Sequence, residues 1–378
     1  MRCSSRWAAT GILASLVVAV IFNAAPRAQD WPANPNPVQL VVGLRERGWL
    51  AAELRPQVEA VAAVLVAEAG QWPRLQFNGA YEPEALNLYL VNLPAADSLP
   101  TSLSRLRGTM LAFPPERIIL ADAGYLAALK AASDIYWASI QRKDHAVTAH
   151  EALAITTAEG PDAAERSRLG SDWRNGSNEL FDGAAAFLIA HEMGHVVLGL
   201  DPALERHISL PRGLTGPDRD RVWACTAMLG DVVAGRRRQE AEADAYALGL
   251  LGRIRAQAPP RIRFELGTLF LLNGELGKLV YALFALNPNA PALMRRAGLG
   301  VNAELVRVLS ARLSRQDGLI ATIFPDSHPA LVDRMLEVAT GFSRIPMSLS
   351  YGNPSAIDGQ RTLRLLVQIQ CQGITSAQ

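Results

Sequence analysis

Two histidines stand four residues apart in the stretch AAAFLIAHEMGHVVLGL, with a glutamate directly after the first: His191-Glu192-Met193-Gly194-His195. The apolar residues around them recur at helical spacing, and Gly199 and Pro202 mark where that helix should stop. Residues four apart share one face of a helix, so the two imidazoles project side by side at a separation suited to one tetrahedral metal ion. Glu192 is turned by about 100° from His191. That takes it off the ligand line and lets it face a water in an open coordination position, where a carboxylate serves as general base. Chance would produce this pentapeptide on the order of once in a hundred chains with so few histidines. Setting His, Glu and His among Ala, Phe, Leu, Ile and Val also costs several kcal/mol unless something pairs with them, and a divalent cation does so. His150-Glu151 is a built-in control, because Ala154 stands where a second histidine would complete the pattern. His145, His150 and His207 are read as ordinary surface or packed residues.

Two imidazoles leave such a site short of a third protein ligand. Downstream, Arg238-Gln239-Glu240-Ala241-Glu242-Ala243-Asp244 begins another helix-prone segment in which Glu240 and Asp244 share a face. One carboxylate can bind the metal while the other accepts the free ring N–H of a ligand histidine, fixing its tautomer and raising its basicity. Ala243, and Gly194 on the first helix, are small enough to let two backbones come close. Alone, this segment would be a solvated, charge-rich helix start. Beside the histidine helix it supplies the missing ligand, with Glu240 as the choice and Glu242 pointing elsewhere on the wheel.

The elements that must carry these groups can be read coarsely. A Pro/Asn-rich linker, residues 29–45, precedes a helix over Glu46 to Gly70. Leu86 to Leu93 and Arg117 to Ala121 are short apolar runs bounded by Pro, Asp and Gly, as buried strands are. Tyr125 to Ala158 is Ala-rich and helical, and Asp162 to Ser177 is a polar loop with Gly170 and Gly176. Helices are then expected over Gly183 to Leu198, Arg236 to Arg253, Phe264 to Leu286, Ala303 to Arg315 and Pro329 to Thr340. Few strands ahead of many helices predict an α+β fold, a small mixed sheet packed on a mostly helical body.

HEMGH followed by Glu240-x-x-Ala243-Asp244 resembles the gluzincin metallopeptidases that include the HtpX heat-shock proteases, the CAAX prenyl proteases and the Oma-type mitochondrial proteases. Asp326-Ser327-His328-Pro329 is similar to that family's later Ser/Thr-His-Pro segment, with Arg334 about six residues on. LNLYLVN and ERIILADAGYL resemble its strand pair ahead of the metal helix, the second being the edge strand against which substrate lies. The resemblance runs from about Leu86 to Met335. It implies a zincin-like peptidase domain over 46–345, with a C-terminal extension over 346–378, and one Zn2+ per chain held by His191, His195 and Glu240. It further implies Asp244 as the outer partner of a ligand histidine and Glu192 as the catalytic base. His328 would donate to the oxyanion of the tetrahedral intermediate or coordinate the metal in a resting state; Arg334 would orient His328 or the intermediate. The implied substrate is a peptide or an unfolded protein, cut by an endopeptidase. An Asn-Ala-Phe segment usual between the two strands is missing here, and the intervals around the motifs are longer, which leaves substrate choice open. The rival reading is a catalytically idle zinc-binding protein of the same fold, chaperone-like or a scaffold. A retained Glu192 argues against it, because a purely structural site needs no base and carries a fourth protein ligand.

Lys plus Arg number 37 against 36 Asp plus Glu in the 378 residues, so no excess charge points to nucleic acid or an anionic membrane. Arg2 and Arg6 precede an apolar stretch from Gly11 to Phe22, and Ala24, Ala25 and Ala28 follow, the layout of a secretory signal over 1–28. Periplasmic or secreted location follows, or the inner membrane if the segment stays as an anchor. Elsewhere Phe264 to Leu286 is strongly apolar, but Glu265, Glu275 and Lys278 interrupt it, so it reads as a buried helix. With the leader removed only Cys225 and Cys371 remain, a pair that can bridge in an oxidising compartment or stay as two buried thiols.

Overall fold

The computed structural model describes Trp31, residues 35–94, Leu103, residues 106–142, Ala149, residues 152–153, 174–199, 236–257 and 266–272, and Gly274. Its elements are α1 (Pro37–Glu46), α2 (Arg55–Ala69), β1 (Leu75–Phe77), β2 (Leu86–Val91), β3 (Met110–Phe113), β4 (Ile118–Asp122), α3 (Ala123–Arg142), α4 (Arg174–Leu198) and α5 (Arg236–Gln257). Helix and sheet are thus mixed, as the α+β expectation requires. The expected helices over Ala303 to Arg315 and Pro329 to Thr340, the 1–28 leader and the 346–378 extension lie outside the described residues.

The four strands form one sheet in the order β1-β2-β4-β3. β1 and β4 run parallel to β2, with Leu88 opposite Ile119, and β3 runs antiparallel to β4, with Ala112 opposite Ile119. Every residue of β2 and β4 is buried. Burial along the whole length belongs to strands covered on both faces. Successive side chains alternate between the faces. Leu86, Leu88, Leu90, Ile119 and Ala121 pack with α2, α3 and α4 in the larger core, while Tyr89, Val91, Ile118 and Leu120 pack with Leu40, Val41 and Leu44 of α1.

This pairing corrects the edge-strand expectation. Arg117 to Ala121 does not form an edge: β4 is flanked by β2 and β3, and among the described residues the outer strand on that side is β3. The physical reason is visible in burial, since β3 alternates buried and half-buried residues whereas β4 has no wet position. Arg117, at φ 54°, turns the chain from β3 into β4.

Two helix boundaries also differ from expectation. Residues 37–45, expected as linker, belong to α1: Asn36 caps it, its Oδ1 accepting from Gln39 N–H at 2.8 Å while Gln39 Oε1 accepts from Asn36 N–H at 3.1 Å, and Pro37 supplies the fixed φ of a first turn. The helix expected from Glu46 starts only at Arg55. Between the two helices the chain returns along β2, with Ala51 N–H donating to Leu90 O at 2.8 Å and Asn92 N–H to Trp49 O at 2.8 Å. α4 begins at Arg174, nine residues before Gly183, so residues 174–177 are helix and not loop. Gly176 is used there for close approach: a Cβ at this position would sit 1.9 Å from the Trp137 indole of α3.

At the head of α3, Asp122 is the cap that joins it to the sheet. Its carboxylate accepts from Gly124 N–H at 2.9 Å and from Gly108 N–H, next to β3, at 2.7 Å. Burial pushes its carboxyl up, against the pull of those backbone donors. Residues 266–272, from the apolar segment expected to be a buried helix, are helical; a Cβ at Gly267 would lie 2.5 Å from Gly183 Cα, and Phe270, Leu271 and Leu272 are buried. Among the described residues no helix is long and apolar enough to cross a membrane.

Candidate metal centre

α4 presents His191 and His195 on one face, as i and i+4 must, and α5 packs alongside it and presents Glu240 and Asp244 in the same way. All four are buried, and so is Glu192 in the same turn of α4. The two imidazole Nε2 atoms lie 3.1 Å apart. Glu240 reaches both, with Oε2 at 3.0 Å from His191 Nε2 and Oε1 at 3.4 Å from His195 Nε2. Two atoms bound to one ion at about 2.0–2.1 Å with tetrahedral angles stand about 3.3 Å apart. The observed separations bracket that value. His191, His195 and Glu240 thus form a buried group that can hold a metal ion.

The tautomer of His191 sharpens the point. Its Nδ1 lies 2.7 Å from Asp244 Oδ1, and an ionised carboxylate can only accept, so Nδ1–H donates, and in the neutral imidazole Nε2 then carries the lone pair. That lone pair faces the other imidazole nitrogen and a carboxylate oxygen. A proton can bridge one such pair; a cation satisfies all three atoms together. His195 Nδ1 is buried and finds no hydrogen-bond partner among the described residues. The two imidazole rings stand nearly perpendicular, 80° apart with centroids 4.8 Å apart.

Four sequence-predicted residues are therefore brought together, His191, His195, Glu240 and Asp244, and Glu192 is buried in the same turn of α4. Glu242, set aside on the helical wheel, is half-buried. His328, Arg334, Cys225 and Cys371 lie outside the described residues. The sequence reading overlooked Phe187, one turn before His191 on α4, which is buried with its ring centroid 6.4 Å from the imidazole at an interplanar angle of 33°. Its position at i−4 from a ligand was the available signal. It also overlooked the polar contacts that fix the front half of α4. Ser177 donates to Asp134 of α3 and accepts from Lys130 Nζ at 3.0 Å, Lys130 also pairs with Asp134, and Asp182 accepts from Gln57 Nε2 of α2 at 2.6 Å. Burial pushes the Asp182 carboxyl up, and the Gln57 hydrogen bond pulls it back.

The described residues define a protein of mixed helix and sheet with a buried two-histidine, one-carboxylate group suited to a metal ion. Comparisons with protein families, with curated proteins and with solved structures return no match for this chain.

Proposed function

We propose that the protein is a zinc-dependent endopeptidase of the cell envelope with a zincin-like fold, acting on peptides or unfolded proteins, as the resemblance to the gluzincin metallopeptidases implies. The observation that carries this reading is the convergence of His191 Nε2, His195 Nε2 and Glu240 from two helices, with Glu192 buried in the same turn. Two imidazoles and one carboxylate are a donor set that zinc favours. When bound, the ion supplies Lewis acidity toward a peptide carbonyl and toward water.

The chain's own residues do the rest. With Asp244 ionised and accepting from Nδ1–H, His191 would present Nε2 to the metal, and that acceptor makes Nε2 more basic. Glu192 takes the proton from the attacking water and later passes it to the leaving amine. His328 remains the choice for the oxyanion donor, with Arg334 as its orienting partner. The task of holding an extended peptide by main-chain hydrogen bonds moves from β4 to β3, which pairs on one side only among the described residues and packs against α4.

The test compares wild type with Glu192→Gln for zinc content and for degradation of casein. Equal zinc is expected, with the rate lower by roughly 10²–10⁴-fold in the variant, the usual contribution of a positioned base. Undiminished hydrolysis by the variant would remove Glu192 from that role.

A further inference from the structure

The two helices that build the centre touch backbone to backbone at one residue of each. A Cβ built at Gly194 would lie 2.9 Å from Ala243 Cα, 3.0 Å from Ala243 O and 3.3 Å from Ala243 Cβ. Carbon atoms in contact prefer about 3.5–4.0 Å. Even one methyl group at Gly194 therefore requires the helices to part by about 0.6 Å or more.

The place of this contact gives it meaning. Gly194 immediately precedes His195 and stands three residues after His191; Ala243 immediately precedes Asp244 and stands three residues after Glu240. Each half of the contact is thus bracketed on its own helix by two members of the site. Parting α4 from α5 moves Glu240 away from both imidazoles and Asp244 away from His191 at once. The Asp244 hydrogen bond, now 2.7 Å, has little slack before it passes the ordinary limit of about 3.2 Å. The turn of α4 that leads into Gly194 is packed against its neighbours as well, with Ala190 and Met193 fully buried, so a local shift there would disturb close packing.

We infer that Gly194 is a positioning residue that sets the α4–α5 separation at which Glu240 reaches both histidines while Asp244 holds His191. This rests on the reading of the site as a metal centre. It does not rest on glycine in general: Gly249, also on α5, would place a Cβ in open space.

The experiment titrates the metal-free full chain, as wild type, Gly194→Ala and Gly249→Ala, with Zn2+ against a chromophoric chelator. Far-UV circular dichroism checks the fold, and the visible spectrum of the Co2+ forms checks ligand geometry. Gly194→Ala is expected to keep its helix content, to bind Zn2+ roughly 10–100-fold more weakly, as when a ligand's outer hydrogen-bond partner is lost, and to show an altered Co2+ spectrum. Gly249→Ala should match wild type. A Gly194→Ala protein with wild-type affinity and spectrum overturns the inference. Should that variant fail to fold, Gly194→Ala/Ala243→Gly takes its place, because Ala243 Cα and O still obstruct the methyl; reduced affinity is expected, and wild-type affinity again overturns the inference. Wild type that binds no metal sinks the underlying reading instead, and the two failures are told apart by that one titration.

Discussion

α4 carries a buried polar cluster at each end, and the two differ in what they require. Near its start, Ser177 meets Lys130 and Asp134 of α3, a hydroxyl between a cation and an anion, each donor aimed at an acceptor. That cluster is complete in itself and fixes α4 against α3. Near its end, His191 and His195 meet Glu240 and Asp244 of α5, and there three potential metal-ligand atoms, two imidazole nitrogens and a carboxylate group, converge at 3.0 to 3.4 Å. Like-signed lone pairs do not stay together in a low-dielectric interior without a cation or proton among them. Both clusters join helices, but only the second gathers a group of side chains that could hold a metal ion.

The contrast is broken or sharpened by substitutions at the two ends, taken in order of expected effect. Glu240→Ala removes one ligand of the set and should weaken zinc binding by roughly a hundredfold or more, since a whole zinc site is worth about 10–16 kcal/mol shared among its ligands. Competition against a chromophoric chelator measures it. Asp244→Asn should cost about 10–100-fold in the same assay. The amide can donate where the carboxylate only accepts, so His191 loses the constraint that keeps its Nε2 free. At the other end, Asp134→Ala removes the carboxylate that both Lys130 and Ser177 meet, and should lower unfolding free energy by about 1–3 kcal/mol in urea titration. Zinc affinity per folded chain should be unchanged in that variant, and a parallel loss of affinity would erase the distinction between the clusters.

What could be read from the sequence follows the range of the forces involved. The pairing of His191 with His195 is local, because helix geometry alone puts i and i+4 on one face, and the same holds for Glu240 with Asp244. That these two pairs meet is a tertiary fact. It was legible from the want of a third ligand beside the two histidines and from the resemblance, and Gly194 and Ala243, small at matching places, permit it: a Cβ built at Gly194 would lie only 2.9 Å from Ala243 Cα. Strand existence was legible for β2 and β4 from apolar runs, yet strand order was not, since pairing with β3 depends on four residues and a turn through Arg117 in an unusual conformation. α1 was hidden by its own start signals: Asn36, Pro37 and Gln39 look like linker composition until their order is read as cap, first turn and capping box. The early start of α4 was hidden by Gly176, a helix breaker in most settings, which here makes room for the Trp137 indole.

The most direct measurement is the metal content of the purified full-length chain by native mass spectrometry and elemental analysis, beside a His191→Ala/His195→Ala variant. One zinc per folded wild-type chain and none in the variant is the predicted result. A folded wild-type chain that takes up no divalent metal, or a variant that keeps its ion, would contradict the assignment of His191, His195 and Glu240 as a metal-binding group.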